Sequence, residues 1–263
     1  MFETIDFEVN GAVATIKMKR PDILNPLDIT AGMEIRTVLE DLSSRHDVRV
    51  LVIRGSGRAY SAGGDIKGML KAIEDNTPGD FMDELTSVLY GIGLKLRRLA
   101  IPVVSVVTGH AVGAGMNMAL CSDFIIASED AKFSQGFTKL GLIPGFGGTY
   151  LLARQVTWQR ACEIAFLGES ISASEMKELG FVNRVVSMEK IEEALSELTV
   201  KLISGPALAF ERTKELFLES MGSNFQGHLE YERKVQIQSA RSDEFKEGVS
   251  ALNEKRKPLF NKS

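Results

Sequence analysis

The chain has 263 residues, 44% of them hydrophobic and 25% charged, which suits one large α/β domain with a sizeable core. Its net charge of −4 is small for this length and argues against a general nucleic-acid or membrane-surface binder. Two cysteines, Cys121 and Cys162, do not make a disulfide framework; no run nears the ~18 apolar residues of a membrane span; and Met1–Asp6 carries acids with no apolar leader, so a cytoplasmic protein is expected.

In chain order, alternating apolar residues flank Asn10-Gly11, a dipeptide that predicts a hairpin turn. Asp28 or Thr30 is placed to cap a helix running to about Ser43, with Met33, Val38, Leu39 and Leu42 inward. Val50-Leu51-Val52-Ile53, Val103–Val107 and Phe124–Ala127 are short, continuously apolar runs, the pattern of strands buried on both faces. Helical periods fill 65–74, 80–99 and about 113–121, which predicts parallel strands with crossover helices. Ser170–Glu175 reads as a helix entry, Leu179-Gly180 as a helix end, and 182–186 as a short strand. Two or three amphipathic helices are expected over 189–256. Residues 1–200 read as a core and 201–263 as a helical appendage, and no repeat of fixed period is visible.

Three stretches carry chemistry. Ala62-Gly63-Gly64-Asp65-Ile66-Lys67 follows a strand with small residues that let backbone N–H groups approach a ligand, and Asp65 opens a helix. Gly109–Asn117 repeats the arrangement after the strand at 103–107. Two such turns together could make an oxyanion hole for a thioester carbonyl, although either alone is equally a tight turn. The third runs from Lys132-Phe133-Ser134-Gln135 to Gly147-Gly148-Thr149.

With these residues, the sequence resembles the crotonase (enoyl-CoA hydratase/isomerase) superfamily. Arg20-Pro21, Asn25-Pro26-Leu27, Ala62–Ile66, the glycine-rich 109–117 segment, Ser122-Asp123, Phe133, Gly141–Pro144, Gly147-Gly148-Thr149, Val182–Val186 and Glu254–Phe260 match its pattern in order along nearly the whole chain. The resemblance implies a spiral of repeated ββα units with a C-terminal helical region (201–263) that forms trimers, often paired into hexamers, and covers the coenzyme. It implies an acyl-CoA thioester as substrate, with no other cofactor and no metal. The oxyanion donors would be the N–H groups of Gly64 and Ala114. Ala62, Asp65 and Ile66 would cradle adenine, and Arg20, Lys67 and, from a neighbouring subunit, Lys257 would meet phosphates near Phe260. Each basic side chain is equally explained as a solvated surface charge.

The chain departs from that pattern where family hydratases and isomerases carry acids. Asn117 and Phe137 stand at the two hydratase glutamates, and Gly145 at the isomerase acid. General acid–base steps contribute roughly 10²–10⁴-fold each, and neither Asn nor Phe exchanges protons near neutral pH. Enolate stabilisation with isomerase or lyase-type chemistry is therefore expected above orthodox hydration. Asp83, Glu84, Tyr90 or His110 could supply a proton group, though a solvated helix face, or for His110 a packed turn, is the simpler account of each taken singly. The alternative is a weakly active or non-catalytic acyl-CoA-binding paralogue. Asp123 reads as a buried acid bonded to backbone, Trp158 as an anchor of the helical region, and Met116, Met118 and Cys121 as core.

Overall fold

A computed structural model of the chain describes residues 1–260. Strands β1 (Ile5–Asn10) and β2 (Val13–Met18) pair antiparallel with Asn10 opposite Val13, so the turn residues are Gly11-Ala12 and not Asn10-Gly11. Gly11 alone takes the positive φ, 56°. Helix α1 (Ile29–Leu42) starts at Asp28, whose side chain accepts from the Ala31 N–H, a cap worth about 1 kcal/mol. Val38, Leu39 and Leu42 are buried as expected, but Met33 is 57% exposed because it lies off the Ala31–Ile35–Val38 stripe.

The repeat that the sequence hides is visible in three dimensions. β3 (Val50–Arg54), β4 (Ala59–Ser61) and α2 (Ile66–Glu74) form one ββα unit. After the long helix α3 (Pro78–Arg98), β5 (Val103–Val107), β6 (His110–Val112) and α4 (Ala114–Leu120) form a second. β7 (Phe124–Ser128), β8 (Lys132–Ser134) and α5 (Gly148–Gln155) form a third. The first strand of each unit enters a six-stranded sheet, β1-β2-β3-β5-β7-β10, and the second a four-stranded sheet, β4-β6-β8-β9. Equivalent strands of successive units pair parallel. Helix α3 intervenes only between the first two units, so no fixed sequence period results.

Helix α6 spans Trp158–Leu167, β9 is Ile171–Ser172, α7 is Ala173–Glu178, and β10 (Arg184–Val186) joins the six-stranded sheet beside β7. Four helices then follow, more than the two or three expected: α8 (Ile191–Ser204), α9 (Ala207–Ser220), α10 (Phe225–Ala240) and α11 (Asp243–Asn253). The apolar strand runs are explained by burial on both faces. Leu51, Ile53, Val103 and Val107 enter the main core with Tyr60 and Phe133 of the second sheet, while Val50, Val52, Val104 and Val106 meet Ile191, Ala194 and Leu198 of α8. Residue 200 thus lies within a helix that covers the sheet, and the sparsely buried helices begin at Ala207.

Trp158 does not anchor the helical region; it is 72% exposed at the first turn of α6. His110 is likewise exposed, not packed in its turn. Met116, Met118 and Cys121 are core residues, as expected. Asp123 accepts from the Val103 N–H at 2.8 Å, as its sequence context suggested, and also pairs with Lys214 at 2.7 Å, a partner 91 residues away. Among the described residues, no helix is long and apolar enough to cross a membrane, and no group of three His, Cys, Asp or Glu could hold a metal ion.

Candidate active site

The site grows from the ends of β4 and β6. These strands pair parallel, Ala59 opposite His110, so the turns that follow them lie side by side. Gly63, at φ 91°, makes the contact close: a Cβ there would fall 2.6 Å from the Val112 carbonyl oxygen and 3.5 Å from the Ala114 nitrogen. Only glycine fits such an approach. The loop after the hairpin holds the first turn in place. Leu24 accepts from the Ala62 N–H, Leu27 donates to the Gly63 carbonyl, and the buried Asn25 amide donates to the Ser56 and Ala59 carbonyls.

Hydrogen bonds occupy the neighbours of the two proposed donors. The Gly63 N–H goes to Ser61 Oγ, Gly113 to the Ser134 carbonyl and Asn117 to the Gly113 carbonyl. Among the described residues, no acceptor takes the N–H of Gly64 or of Ala114. Both residues line a cavity of about 510 Å³, within the usual ~300–1,000 Å³ of small-molecule sites. Two adjacent turns therefore offer two free backbone N–H groups at one end of a cavity.

The rest of the wall is mostly apolar. Helix α3 presents Met82, Leu85 and Leu89, α2 presents Met69, and Phe137, Leu142 and Phe146 close the other side. Sequence reasoning left these acyl-facing residues unassigned. Their signal was the inward stripe of α3 at Met82, Leu85 and Leu89, which looks the same as a core stripe. Asp83 and Glu84 occupy the opposite, exposed face of α3 and do not line the cavity. Among the described residues, no carboxylate and no histidine lines it, and its ionisable side chains are Tyr90 and Lys139. Tyr90 is 46% exposed, and its hydroxyl has no protein partner among the described residues. A Cβ on Gly145 would lie 2.9 Å from the Tyr90 Oη and 3.6 Å from the Phe137 ring. Gly145, where family isomerases carry an acid, therefore lies against the phenol, with the Phe137 ring close by.

Asn117 is not at the cavity surface. It is fully buried, donates through Nδ2 to the Gly145 carbonyl (2.8 Å) and to Gln135 Oε1 (3.2 Å), and accepts from Gln135 Nε2 (2.8 Å). Both amide hydrogens are used, so it has no donor left to orient a water. Its role is to tie α4 to the loops at 135 and 145. A Cβ on Gly148 would fall 2.3 Å from Asn117 Nδ2, so this brace needs glycine at position 148.

The coenzyme residues separate into two groups. Ala62 and Ile66 line the cavity, Asp65 caps α2 beside it by accepting from the Lys67 N–H, and Lys67 is exposed on the first turn of that helix. Arg20 is committed elsewhere: its guanidinium pairs with Asp28 and donates to the Pro26 carbonyl, so it braces its own loop. Lys257 is exposed, and Phe260 packs near Gly248 of α11, away from this cavity. Lys139, at the cavity wall, is a basic group the sequence reading did not single out.

Comparison with known proteins gives the family and the fold. Residues 8–263 match the family described as enoyl-CoA hydratase/isomerase. Trans-2-decenoyl-[acyl-carrier-protein] isomerase of Streptococcus mutans is 32% identical over 98% of this chain and 98% of its own length. The 1,2-epoxyphenylacetyl-CoA isomerase of Escherichia coli K12 is 32% identical over 99% of each. Among solved structures, enoyl-CoA hydratase from Mycobacterium smegmatis superposes with a TM-score of 0.92 at 27% identity, covering 98% of this chain and 99% of that one. The chain belongs to the enoyl-CoA hydratase/isomerase family and has the crotonase fold.

Proposed function

We propose that this protein binds an apolar acyl thioester of coenzyme A, holds its carbonyl oxygen between the N–H groups of Gly64 and Ala114, and shifts a double bond through the thioester enolate. One observation carries the reading: two unpaired N–H groups meet at the head of an apolar cavity that no carboxylate lines. A 3-enoyl thioester that loses a Cα proton places the electron pair on the carbonyl oxygen, where the two donors stabilise it, and regains a proton at Cγ. Hydration must also activate a water, and this cavity offers no strong base for that step. Tyr90 is the ionisable group at the wall placed to relay the proton of the double-bond shift: as phenolate its oxygen takes the Cα proton and returns a proton to Cγ, which leaves the residue unchanged.

The Streptococcus mutans relative is named as a trans-2-decenoyl-[acyl-carrier-protein] isomerase, and a ten-carbon chain suits a mostly apolar cavity of this size. A second reading is favoured by the same absence of carboxylates: the chain binds acyl-CoA without rapid turnover. Ala114→Pro separates the two. Residue 114 is the first of α4, a position that tolerates proline, so the variant deletes one donor at little structural cost. Deuterium incorporation at Cα and double-bond migration, followed by mass spectrometry, should fall by about 10²-fold or more. Unchanged turnover would refute the oxyanion assignment, and binding without turnover in the parent protein would favour the second reading.

We further propose self-assembly through the C-terminal helices. Phe225, Phe245 and Leu252 are all at least half exposed, more apolar surface than a lone helix face normally shows water. Trimers, or trimers paired into hexamers, would let a neighbour's Lys257 and Phe260 approach the coenzyme. Light scattering that reports a monomer at micromolar concentration would refute this.

A further inference from the structure

A second cavity of about 540 Å³ shares no lining residue with the acyl site. It opens where the starts of β5 and β7 meet α9 and the end of α8. Leu120, Phe124, Phe181, Leu202, Phe210 and Phe217 form its apolar wall. Phe217 stays 67% exposed although it borders this concavity.

Three charged side chains face the space: Arg97, Asp123 and Lys214. Lys214 Nζ and Asp123 Oδ2 are 2.7 Å apart and neutralise each other. Arg97, on the last turn of α3, is half-buried and has no hydrogen-bond or ion-pair partner among the described residues. One net positive charge is therefore left at an apolar wall. Its influence reaches Lys214: burial is the main cause that pulls the ammonium pKa below its ordinary value, and the nearby Arg97 charge adds to that, against the opposing pull of Asp123. Asn183 adds a donor, because its Oδ1 accepts from the Ile125 N–H while its Nδ2 has no protein acceptor.

The geometry points to a second ligand site, for an amphipathic monoanion whose carboxylate is held by Arg97 and whose apolar tail lies against Phe181, Phe210 and Phe217. A guanidinium takes a carboxylate through two parallel hydrogen bonds. The polyanionic coenzyme does not suit a cavity with a single uncompensated positive charge, so the two cavities select different ligands.

The test is calorimetric titration of the full chain with decanoate, alone and with saturating decanoyl-CoA. The expected result is one decanoate per chain that decanoyl-CoA does not displace. Arg97→Met should weaken it by about tenfold or more, Arg97→Lys, which keeps the charge but loses the two-pronged contact, should weaken it less than Arg97→Met, and decanol should bind the parent protein about tenfold more weakly. Circular dichroism and thermal melting check that the variants are folded, and Arg97→Lys keeps the test decisive if the methionine variant is not. The inference is overturned if decanoyl-CoA displaces decanoate, if Arg97→Met binds it as the parent does, if decanol binds equally well, or if nothing binds up to about 1 mM.

Discussion

Replacing Phe137 by Glu would place a carboxylate where the cavity now has a ring, and it tests whether a missing base limits this protein. The ring lies 3.5 Å from the point a Gly113 Cβ would occupy, next to the Ala114 donor, and 3.6 Å from the matching point on Gly145. A glutamate there reaches the space between the oxyanion turn and Tyr90. Phe137 is half-buried, and losing roughly half the transfer free energy of a phenylalanine costs about 1–1.5 kcal/mol. Most domains withstand such a loss. The gain is a general base, worth about 10²–10⁴ in rate. The apolar surroundings of Met82, Leu85 and Leu89 disfavour the charged carboxylate, which raises its pKa toward the working range of a base. The assay is hydration of crotonyl-CoA, read as loss of enoyl absorbance, together with deuterium exchange at Cα. Both are expected to rise by about 10²-fold with acyl-CoA binding retained. A folded variant that binds the thioester but shows no gain in either reaction would refute the argument that an absent base sets the limit.

Three further outcomes follow from the same contacts. Asn117→Asp replaces a double donor by an acceptor facing the Gly145 carbonyl and Gln135 Oε1, and about 3–5 kcal/mol of stability should be lost at pH 7 in denaturant titrations. The new carboxyl would have a raised folded-state pKa, so its damage should grow as pH rises above about 4; a pH-independent loss would contradict this. Gly148→Ala forces a methyl to within 2.3 Å of Asn117 Nδ2 and should cost about 1–3 kcal/mol, much less in an Asn117→Ala background if that contact is the cause. Burial pushes the Cys121 thiol up to about 12, against about 8.5 in an unfolded chain. The folded state keeps that proton longer, so stability is full below about pH 8.5 and falls by up to about 1.4 kcal/mol per unit above it. Burial also raises the Tyr60 phenol, which adds the same trend only above about pH 10. Cys121→Ala should flatten the fall between pH 8.5 and 10, and an unchanged slope would assign it to another group.

The local features were legible because short-range physics sets them. The doubly buried strands at 50–54, 103–107 and 124–128 announced themselves as continuous apolar runs, and Asp28 and Asp65 announced the helices they cap. The Gly63-Gly64 and Gly113-Ala114 turns were readable as places where backbone can approach a ligand. Other features depended on partners distant in sequence. Asn117 had the right position for a catalytic group, yet Gln135 and Gly145 consume its amide, and Arg20 is similarly held by Asp28. Trp158 and Met33 looked like core residues because hydrophobicity alone does not say which helix face a neighbour covers. The sequence by itself determined the fold family, the two glycine-rich turns proposed to hold the thioester oxygen, and the lack of acids at 117, 137 and 145. Only the tertiary structure decided that, among the described residues, no carboxylate lines the cavity, that Tyr90 does, and that Arg97 stands unpaired in a second one. The reason is physical: a side chain's chemistry is written in its own residue, but its availability depends on which atoms the rest of the chain brings within hydrogen-bonding distance.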